Sequence, residues 1–479
     1  MKIVGTGTFD SNRTTTTNSL GSAILTRPEI AANLANIWEG NYTAFSSLLA
    51  RKGLVKRNVF AGLESKDFRV IGNRKFMWGV KGYPFTKCFI TDTVDLPAGI
   101  TNAGENKSIF TIYLNNNYFS PNDTLELKDG ITKIFLMDEY PTEVDANKWG
   151  YKAKLVSNQT GDFVNADLLE IGAEVGFSYT MFPEMSETGY EKNQFPEWRT
   201  EYMTIQRMQY SISGSAKNTK VYWIEHNGQI LWFKEQELDM MRRWGIAREN
   251  QLLFGKPTID ANENVFLKDF KGRDIIAGSG VVEQGDPSLK YSYNKLSIRT
   301  LETIMQNMQL LTNGNGTTEV CIQAGQAFVW DFDRLFRDVF KMNPEPLFIS
   351  SGDKERGVRS NFNRYDMGGV SLTVSWNQSI DAPWRASDTD MWGTNKRSKE
   401  AYFFAMGTIA DNPNIELVAL GNAGDERSFI KKEIPGMVSI NDSRGGITSN
   451  SVDGTQVQVL SETGVKLENE WGIASLRSR

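Results

Sequence analysis

The feature that most constrains the fold is a long run of strand signals that precedes one strong amphipathic helix. Residues Phe68–Val175 contain short apolar and β-branched segments, such as Ile109–Leu114, separated by turn residues. Around Trp149 and Tyr151 apolar residues alternate with Gly150, Lys152 and Lys154, which predicts a strand with one buried and one hydrated face. This run therefore predicts an antiparallel sheet module that projects from the main body.

The strongest helix signal covers Glu235–Phe254. Gly255 and Pro257 follow it, which is a typical helix stop. Two further amphipathic helices are predicted, at Ile298–Leu311 and Gln326–Met342. Within the first helix, the apolar face is predicted at Leu238, Met241, Trp244 and Gly245, and the solvent face at Arg242, Arg243, Arg248 and Glu249.

Rare residue types exclude several chemistries. His226 is the only histidine, so no site with two histidine ligands can form within one chain, and a catalytic triad would have no second imidazole to use. Its position before Asn227-Gly228 favours a turn residue. Cys88 and Cys321 are isolated and predict small buried apolar residues in a reducing compartment. No catalytic residue, cofactor site or metal site is predicted.

Charge and hydropathy limit the partners. The 53 basic and 58 acidic residues leave a net charge of −5, which disfavours general attraction to nucleic acid. The segment Met1–Asn18 is polar, without the apolar core of a secretory signal, and no apolar run is long enough to span a membrane. We therefore expect a protein that is made and kept in a cytoplasm.

Aromatic residues are dense between Phe177 and Met203, where Pro183 and Pro196 interrupt any regular period. Such a segment is typical of a loop that packs against a large surface, either of the same chain or of a neighbouring one. Six residues of this loop and of the sheet module are the candidate contacts for the case in which that surface belongs to a neighbouring subunit: Phe182, Tyr190, Phe195, Trp198, Trp149 and Tyr151.

The order of these elements resembles the major capsid proteins of tailed bacteriophages, which have the Hong Kong 97-type fold. Glu235–Gly255 is similar to the spine helix of that family, and Glu462–Ile473 to its terminal strand and turn. Asp67–Trp78 and Tyr118–Asp123 are similar to the crAss-like branch of gut phages. The resemblance implies an α+β fold with an N-terminal arm, an extended β loop (E-loop) that carries an inserted β module, a peripheral domain with the spine helix, and an apical axial domain.

The resemblance also implies domain boundaries. We predict an arm with a first helix, an extended loop with the β module, a peripheral domain with its spine helix, an α/β axial domain, and strands that return to the peripheral domain. These parts cover residues 1–60, 61–215, 216–297 (spine helix 235–254), 298–450 and 451–479, respectively. Only a short segment precedes the first predicted helix, so we expect any scaffolding to come from a separate protein.

The function implied is structural and not enzymatic: self-assembly into hexamers and pentamers that form an icosahedral shell around the packaged phage genome. The implied partners are further copies of the chain, portal, decoration or auxiliary capsid proteins, and double-stranded DNA bound without sequence specificity, with no membrane. The chain would be assembled in the bacterial host cytoplasm and reside in the virion capsid. Two alternatives stay open, a carbohydrate-active hydrolase with paired carboxylates, first among Glu225, Glu235 and Glu237, and another virion part such as a tail or portal protein.

Overall fold

The computed structural model describes most of the chain outside its N-terminal region. Within the described residues no helix is long and apolar enough to cross a membrane. Most of the predicted arm and of the predicted first helix lies outside the described residues. The described residues are 15, 44–45, 49, 69–82, 87–137, 140–186, 189–190, 193–218, 225–226, 229–230, 232–260, 262–312, 319–339, 364–382, 388–389, 393–409, 412–422, 425–436 and 452–479.

The described residues form five α-helices and twenty-five strands. The helices are α1 Gly214–Asn218, α2 Trp232–Phe254, α3 Val281–Gln284, α4 Ile298–Thr312 and α5 Gln326–Val339. The strands are β1 Arg69–Ile71, β2 Lys75–Val80, β3 Cys88–Phe89, β4 Ile109–Leu114, β5 Asp123–Leu127, β6 Lys133–Leu136, β7 Thr142–Asp145, β8 Lys148–Leu155, β9 Glu174–Thr180, β10 Glu197–Tyr202, β11 Thr204–Ser213, β12 Glu225–His226, β13 Gln229–Ile230, β14 Lys290–Tyr293, β15 Glu319–Ala324, β16 Arg364–Met367, β17 Val370–Trp376, β18 Ala401–Ala405, β19 Thr408–Ile409, β20 Asn412–Pro413, β21 Ile415–Asn422, β22 Asp425–Glu426, β23 Ile430–Ile434, β24 Gly454–Leu467 and β25 Ile473–Ser478.

The chain divides into two compact units. One, the barrel unit, is Gly79–Arg199, and the other, the body, combines Met1–Trp78 with Thr200–Arg479. In sequence, the barrel unit begins later and ends earlier than the predicted extended-loop segment 61–215. The chain passes between the units through β2 and β10, which pair with each other.

The barrel unit is an antiparallel sheet that closes on itself. Its strand order is β3-β9-β5-β6-β8-β4, with β7 beside β8. The segment after β3 then pairs with β4: the N–H of Thr91 donates to the Tyr113 carbonyl at 2.9 Å, and Asp95 and Thr111 exchange two bonds of 3.0 Å. Because closure pairs the two end strands, the sheet keeps its backbone groups satisfied and loses its free edges. The core inside includes Phe110, Ile112 and Leu125.

One sheet of the body packs against the long helix α2. Its order is β1-β21-β24-β11, and β24 also pairs with β23. Strands β11 and β24 are paired from Thr204↔Thr463 to Ser213↔Gly454. A core cluster joins Met240, Met241 and Trp244 of α2 to Val457 and Val459 of β24.

The solvent face predicted for α2 is wrong at two positions. Arg243 is exposed as expected, but Arg248 and Glu249 are buried. The guanidinium of Arg248 lies 4.4 Å from the Trp244 ring centroid, and the Glu249 carboxylate accepts the N–H of Phe45 at 2.6 Å. Burial lowers the pKa of Arg248 to about 10. Nearly every face of α2 is covered, so a single apolar stripe does not describe it.

The second sheet of the body is mixed, with the order β14-β25-β18-β15-β17-β16. Helices α4 and α5 contribute Leu301, Met308 and Phe328 to the core beside it. The predicted axial domain supplies four of its strands. Strand β14 lies in the predicted peripheral segment and β25 in the predicted return segment, yet both pair within this sheet. The boundaries at 297 and 451 therefore do not coincide with the sheet, because β25 completes it from the end of the chain.

Candidate assembly surfaces

The barrel unit exposes an unusual share of large apolar side chains. It makes up about a third of the described residues but holds 14 of the 25 large hydrophobic residues that are exposed among them. Among them Met185, Phe195 and Ile131 are almost fully solvated. Single exposed apolar residues are ordinary, whereas a concentration in one unit indicates an interaction surface.

Three rings form an aromatic cluster on the barrel unit. Tyr190 lies edge-on to Tyr140, with centroids 5.6 Å apart, and stacks on Phe182 at 6.2 Å. Tyr140 is strongly exposed and Phe182 partly so. The structure therefore brings together two of the predicted contact residues, Phe182 and Tyr190. It adds Tyr140, which the sequence did not single out because it lies far from the aromatic loop along the chain.

Phe195 and Trp198 lie apart from that cluster, at the start of β10. Phe195 is 84% exposed and Trp198 is 64% exposed. Gly79 lies beside Trp198, since a Cβ at Gly79 would come within 3.6 Å of the Trp198 ring. Trp198 lies in β10 and Phe195 two residues before it. Large exposed aromatic side chains of this kind often become the most strongly contributing residues of a protein interface.

The two contact residues predicted in β8 are placed inward. Tyr151 is 2% exposed, its hydroxyl donates to the Asn116 carbonyl at 3.0 Å, and burial raises its pKa. Trp149 is partly buried and packs against the barrel core. The alternation in β8 was predicted correctly, but it marks the residues that face this chain's own core. Tyr151 is therefore an internal packing residue in this structure.

A shallow crevice runs along the outside of the barrel between β4, β7 and β8. It is lined by Thr111, Tyr113, Tyr140, Thr142, Val144, Gly150 and Lys152. Beside it, the Tyr113 hydroxyl donates to Asp95, and Lys148 pairs with Asp92 while lying 4.4 Å from the Tyr113 ring centroid. The hydrogen bond from Lys148 lowers the pKa of Asp92, and the bond to Asp95 raises that of Tyr113. These charged groups are satisfied by one another.

The residues of the hydrolase alternative are not gathered in this crevice. Glu225 lies in the short strand β12, and Glu237 of α2 pairs with Lys431 of β23. The side chain of Glu235 lies outside the described residues. No group of three or more His, Cys, Asp or Glu that could hold a metal ion occurs among the described residues. The geometry thus presents contact surfaces more clearly than a reaction centre.

Comparison with known proteins gives one match over almost the whole chain. The family model described as Crassvirus major capsid protein matches residues 7–478. No curated protein matches the chain.

Several solved structures are similar to parts of the chain. The capsid of cyanophage P-SCSP1u is 9% identical, with a TM-score of 0.36, over 63% of this chain and 80% of that one. A chain from the structure of Mycobacterium phage Bobi is 8% identical, with a TM-score of 0.34, over 63% of this chain and 81% of that one. The holo-SrpI encapsulin complex from Synechococcus elongatus is 10% identical, with a TM-score of 0.32, over 59% and 77%.

Proposed function

Because the chain belongs to the Crassvirus major capsid protein family, we propose that it builds a phage shell as hexamers and pentamers of identical copies. Family membership makes it a structural, shell-forming protein of the virion capsid and not an enzyme. It confirms the predicted phage capsid protein of the Hong Kong 97 type and the α+β class. The hydrolase, tail and portal alternatives are set aside for the same reason. The match over residues 7–478 is the observation that carries this conclusion.

The contacts between copies are the finer part of the proposal. We assign them first to aromatic side chains of the barrel unit: Phe182, Phe195 and Trp198, which are exposed, and Tyr190, which is half-buried, with Trp149 at the edge of the barrel core. Large aromatic residues are enriched in the buried centres of protein interfaces. The closed barrel leaves few unpaired strand edges, so side-chain packing, more than strand pairing between copies, supports assembly here.

Domain roles and further partners belong to the same proposal. The barrel unit corresponds to the inserted module of the extended loop, the sheet around α2 to the peripheral domain, and the mixed sheet to the axial domain. Portal, decoration or auxiliary proteins would bind the completed lattice, and packaged double-stranded DNA would be contacted without sequence preference. Because the net charge of the chain is −5, we expect contact with DNA only through local basic patches. Assembly would take place in the host cytoplasm.

The test of the contact assignment replaces both solvated aromatic residues at β10 in the full-length chain, as Phe195→Ser with Trp198→Ser. We expect the assembled fraction, measured by velocity sedimentation and electron microscopy, to fall at least tenfold, since removing one interface anchor typically costs over 1 kcal/mol. Particle size and symmetry in the wild type test the hexamer and pentamer assignment directly.

Phe163→Ser is the matched control for that variant, because it removes an exposed apolar ring from the same barrel unit outside the proposed contact set. It should assemble as the wild type does. Assembly of the Phe195 and Trp198 double variant at wild-type yield would contradict the contact assignment, and a wild type that stays monomeric with other phage proteins present would contradict shell formation itself.

A further inference from the structure

A ribbon of two tandem turns links α2 to α3. It consists of residues 257–260 and 262–277, and we call it the tandem-turn ribbon. In the first turn the Asp260 carboxylate accepts the N–H groups of Asn262 at 2.9 Å and Asn264 at 2.8 Å. In the second, the Asp269 carboxylate accepts those of Lys271 and Arg273, both at 2.8 Å. Aspartate at the start of a turn commonly binds backbone N–H groups in this way.

The two turns share their backbone geometry as well. The N–H of Asp260 donates to the Asn264 carbonyl at 3.0 Å, and that of Asp269 to the Arg273 carbonyl at 2.9 Å. Glu263 and Gly272, each three residues after its aspartate, have left-handed φ angles of 64° and 76°. The repeat therefore encodes one conformation twice, and hydrogen bonds hold each copy of it.

Hydrogen bonds join the two ends of the ribbon to each other, and the residue after it is bonded to α2. The N–H of Thr258 donates to the Ala277 carbonyl at 3.1 Å, and the Thr258 hydroxyl donates to the Ile275 carbonyl at 2.7 Å while accepting the Ala277 N–H at 2.8 Å. The Gln251 side chain of α2 donates to the Gly278 carbonyl at 3.1 Å. A connection of this length that is held so fully has the order expected of a functional surface.

This ordered ribbon exposes four large apolar side chains: Phe266, Leu267, Phe270 and Ile275. Phe270 is 91% exposed and lies within the second turn, where the Lys271 ammonium group sits 5.5 Å from its ring centroid. The N–H of Ile275 donates to the Leu267 carbonyl at 2.9 Å, so these two residues are cross-strand neighbours. Together the four side chains expose roughly 400 Å² of apolar surface, about half of what one partner buries in a standard interface.

The charged residues of the ribbon are largely paired within the body. Arg273 pairs with Asp269 at 2.7 Å, Lys268 with Asp274 at 3.2 Å, and Glu263 with Lys75. The backbone N–H groups of Asn264 and Arg273, which donate to the Asp260 and Asp269 carboxylates, hold the pKa values of both carboxyls below their ordinary range. An occupant of this surface thus meets apolar side chains and internally neutralised charge, which suits another apolar protein surface better than a nucleic acid or a membrane.

We propose that the tandem-turn ribbon is a contact between copies of this chain, with Phe270 inserted into a second copy. This rests on the proposed function, because shell formation is what places further copies against every subunit. The barrel unit of that second copy offers an exposed apolar surface of the required kind. The apolar area and the internally paired charges favour a second copy over other occupants.

Photo-cross-linking of the full-length chain tests the proposal. p-Benzoylphenylalanine replaces Phe270, assembled particles are irradiated, and products are separated by mass and mapped by peptide sequencing. We expect a dimer-mass product that joins position 270 to a second copy. Cross-links confined to the same chain, or no cross-link in assembled particles, would overturn the proposal.

A second measurement uses Phe266→Ser with Phe270→Ser. The assembled fraction should fall at least tenfold, while the thermal unfolding of the isolated subunit stays unchanged. Leu310→Ser, which removes an exposed apolar side chain from α4, is the control and should assemble normally. If the wild type assembles and the double variant assembles equally well, only the ribbon contact fails. If the wild type never assembles, the proposed function fails first.

Discussion

The barrel unit and the body solve the same stability problem in different ways. The barrel closes its sheet, fills it with apolar side chains and leaves apolar residues on the outside. The body leaves sheet ends such as β16 without a second neighbour among the described strands, and it buries charged groups: Arg248, Glu249, Glu462 and Lys466. Among its described residues the barrel buries one charged side chain, Asp123, whose carboxylate accepts the Ser120 N–H at 2.8 Å. Its stability therefore rests mainly on packing and backbone hydrogen bonds, whereas the body also depends on several buried charged groups that are paired.

Glu462 shows what the body depends on. Its carboxylate is buried in β24 and lies 3.4 Å from the Arg74 guanidinium and 2.9 Å from that of Arg427. Arg74 lies in the first sequence segment of the body, and Arg427 lies in the second. A buried carboxylate between two partly exposed guanidinium groups fixes where these segments meet, because leaving that carboxylate in the interior without a countercharge is costly.

The largest expected effect is in the barrel core. Phe110→Ala removes a ring that is 1% exposed and should lower the free energy of unfolding of the barrel unit by about 4 kcal/mol, from lost burial plus the cavity. Hydrogen exchange resolved by peptide measures the two units separately. Protection should fall in Gly79–Arg199 and not in the body, and the exposed Phe163→Ala variant should change neither. An equal loss of protection in the body would break the comparison.

The converse variant is Glu462→Gln in the body. It keeps the shape of the side chain but removes the countercharge that Arg74 and Arg427 share, and should cost about 2 kcal/mol, less than a fully buried pair because both guanidinium groups are partly exposed to water. Hydrogen exchange should now accelerate in β11, β21 and β24 and stay unchanged in the barrel. Glu433→Gln, at an exposed position of β23, provides the comparison of equal chemistry. If Glu462→Gln unfolds with the free energy of the wild type, the stability of the body does not depend on this buried charge.

The smallest expected effect is a loss of barrel stability at alkaline pH. Burial in the barrel raises the pKa of the Cys88 thiol to about 11. The unfolded chain ionises this thiol at its ordinary pKa of 9.0, so the unfolded state gains stability first as the pH rises. The barrel should therefore lose at most about 2 kcal/mol of stability between pH 9 and 11, with full stability retained below that window.

Denaturant unfolding monitored at Cys88 by thiol labelling measures that loss across the pH range. Buried Tyr151, whose pKa is also raised, adds to the loss at the upper end of the window. In Cys88→Ala, with unfolding followed by fluorescence, the slope between about pH 9 and 10 should disappear. A slope that persists in this variant would assign the alkaline loss to another group.

Local patterns predicted the elements closely. Ile109–Leu114 is a strand with the predicted bounds, and α4 differs from its prediction by one residue. The α2 helix starts three residues earlier than predicted and ends at the predicted Phe254. These segments were readable because their apolar period and their flanking turn residues agree. The bounds of β24 were less readable, because three different partner strands pair along its length and hold it as one long strand.

The sites were harder to predict than the elements. Arg248 and Glu249 were assigned to solvent from their charge, but Phe45 and Trp244 cover them in the structure. Tyr151 was assigned to a contact surface from its aromatic ring, but it faces the barrel core. Both errors have one cause: a periodic pattern identifies which residues share a face, and only the distant segments that pack there decide whether that face meets water.

What the sequence determined by itself was the kind of protein: an α+β chain with one histidine and two isolated cysteines, organised as sheet module, long helix and mixed region, in an order that resembles phage capsid proteins. Composition and local periodicity carry that information because they act between neighbours in the chain. What only the tertiary structure decided was the closure of the barrel, the buried charges around α2 and Glu462, and the exposure of Phe270. Each of these depends on contacts between segments far apart in sequence, whose free energy no local pattern records.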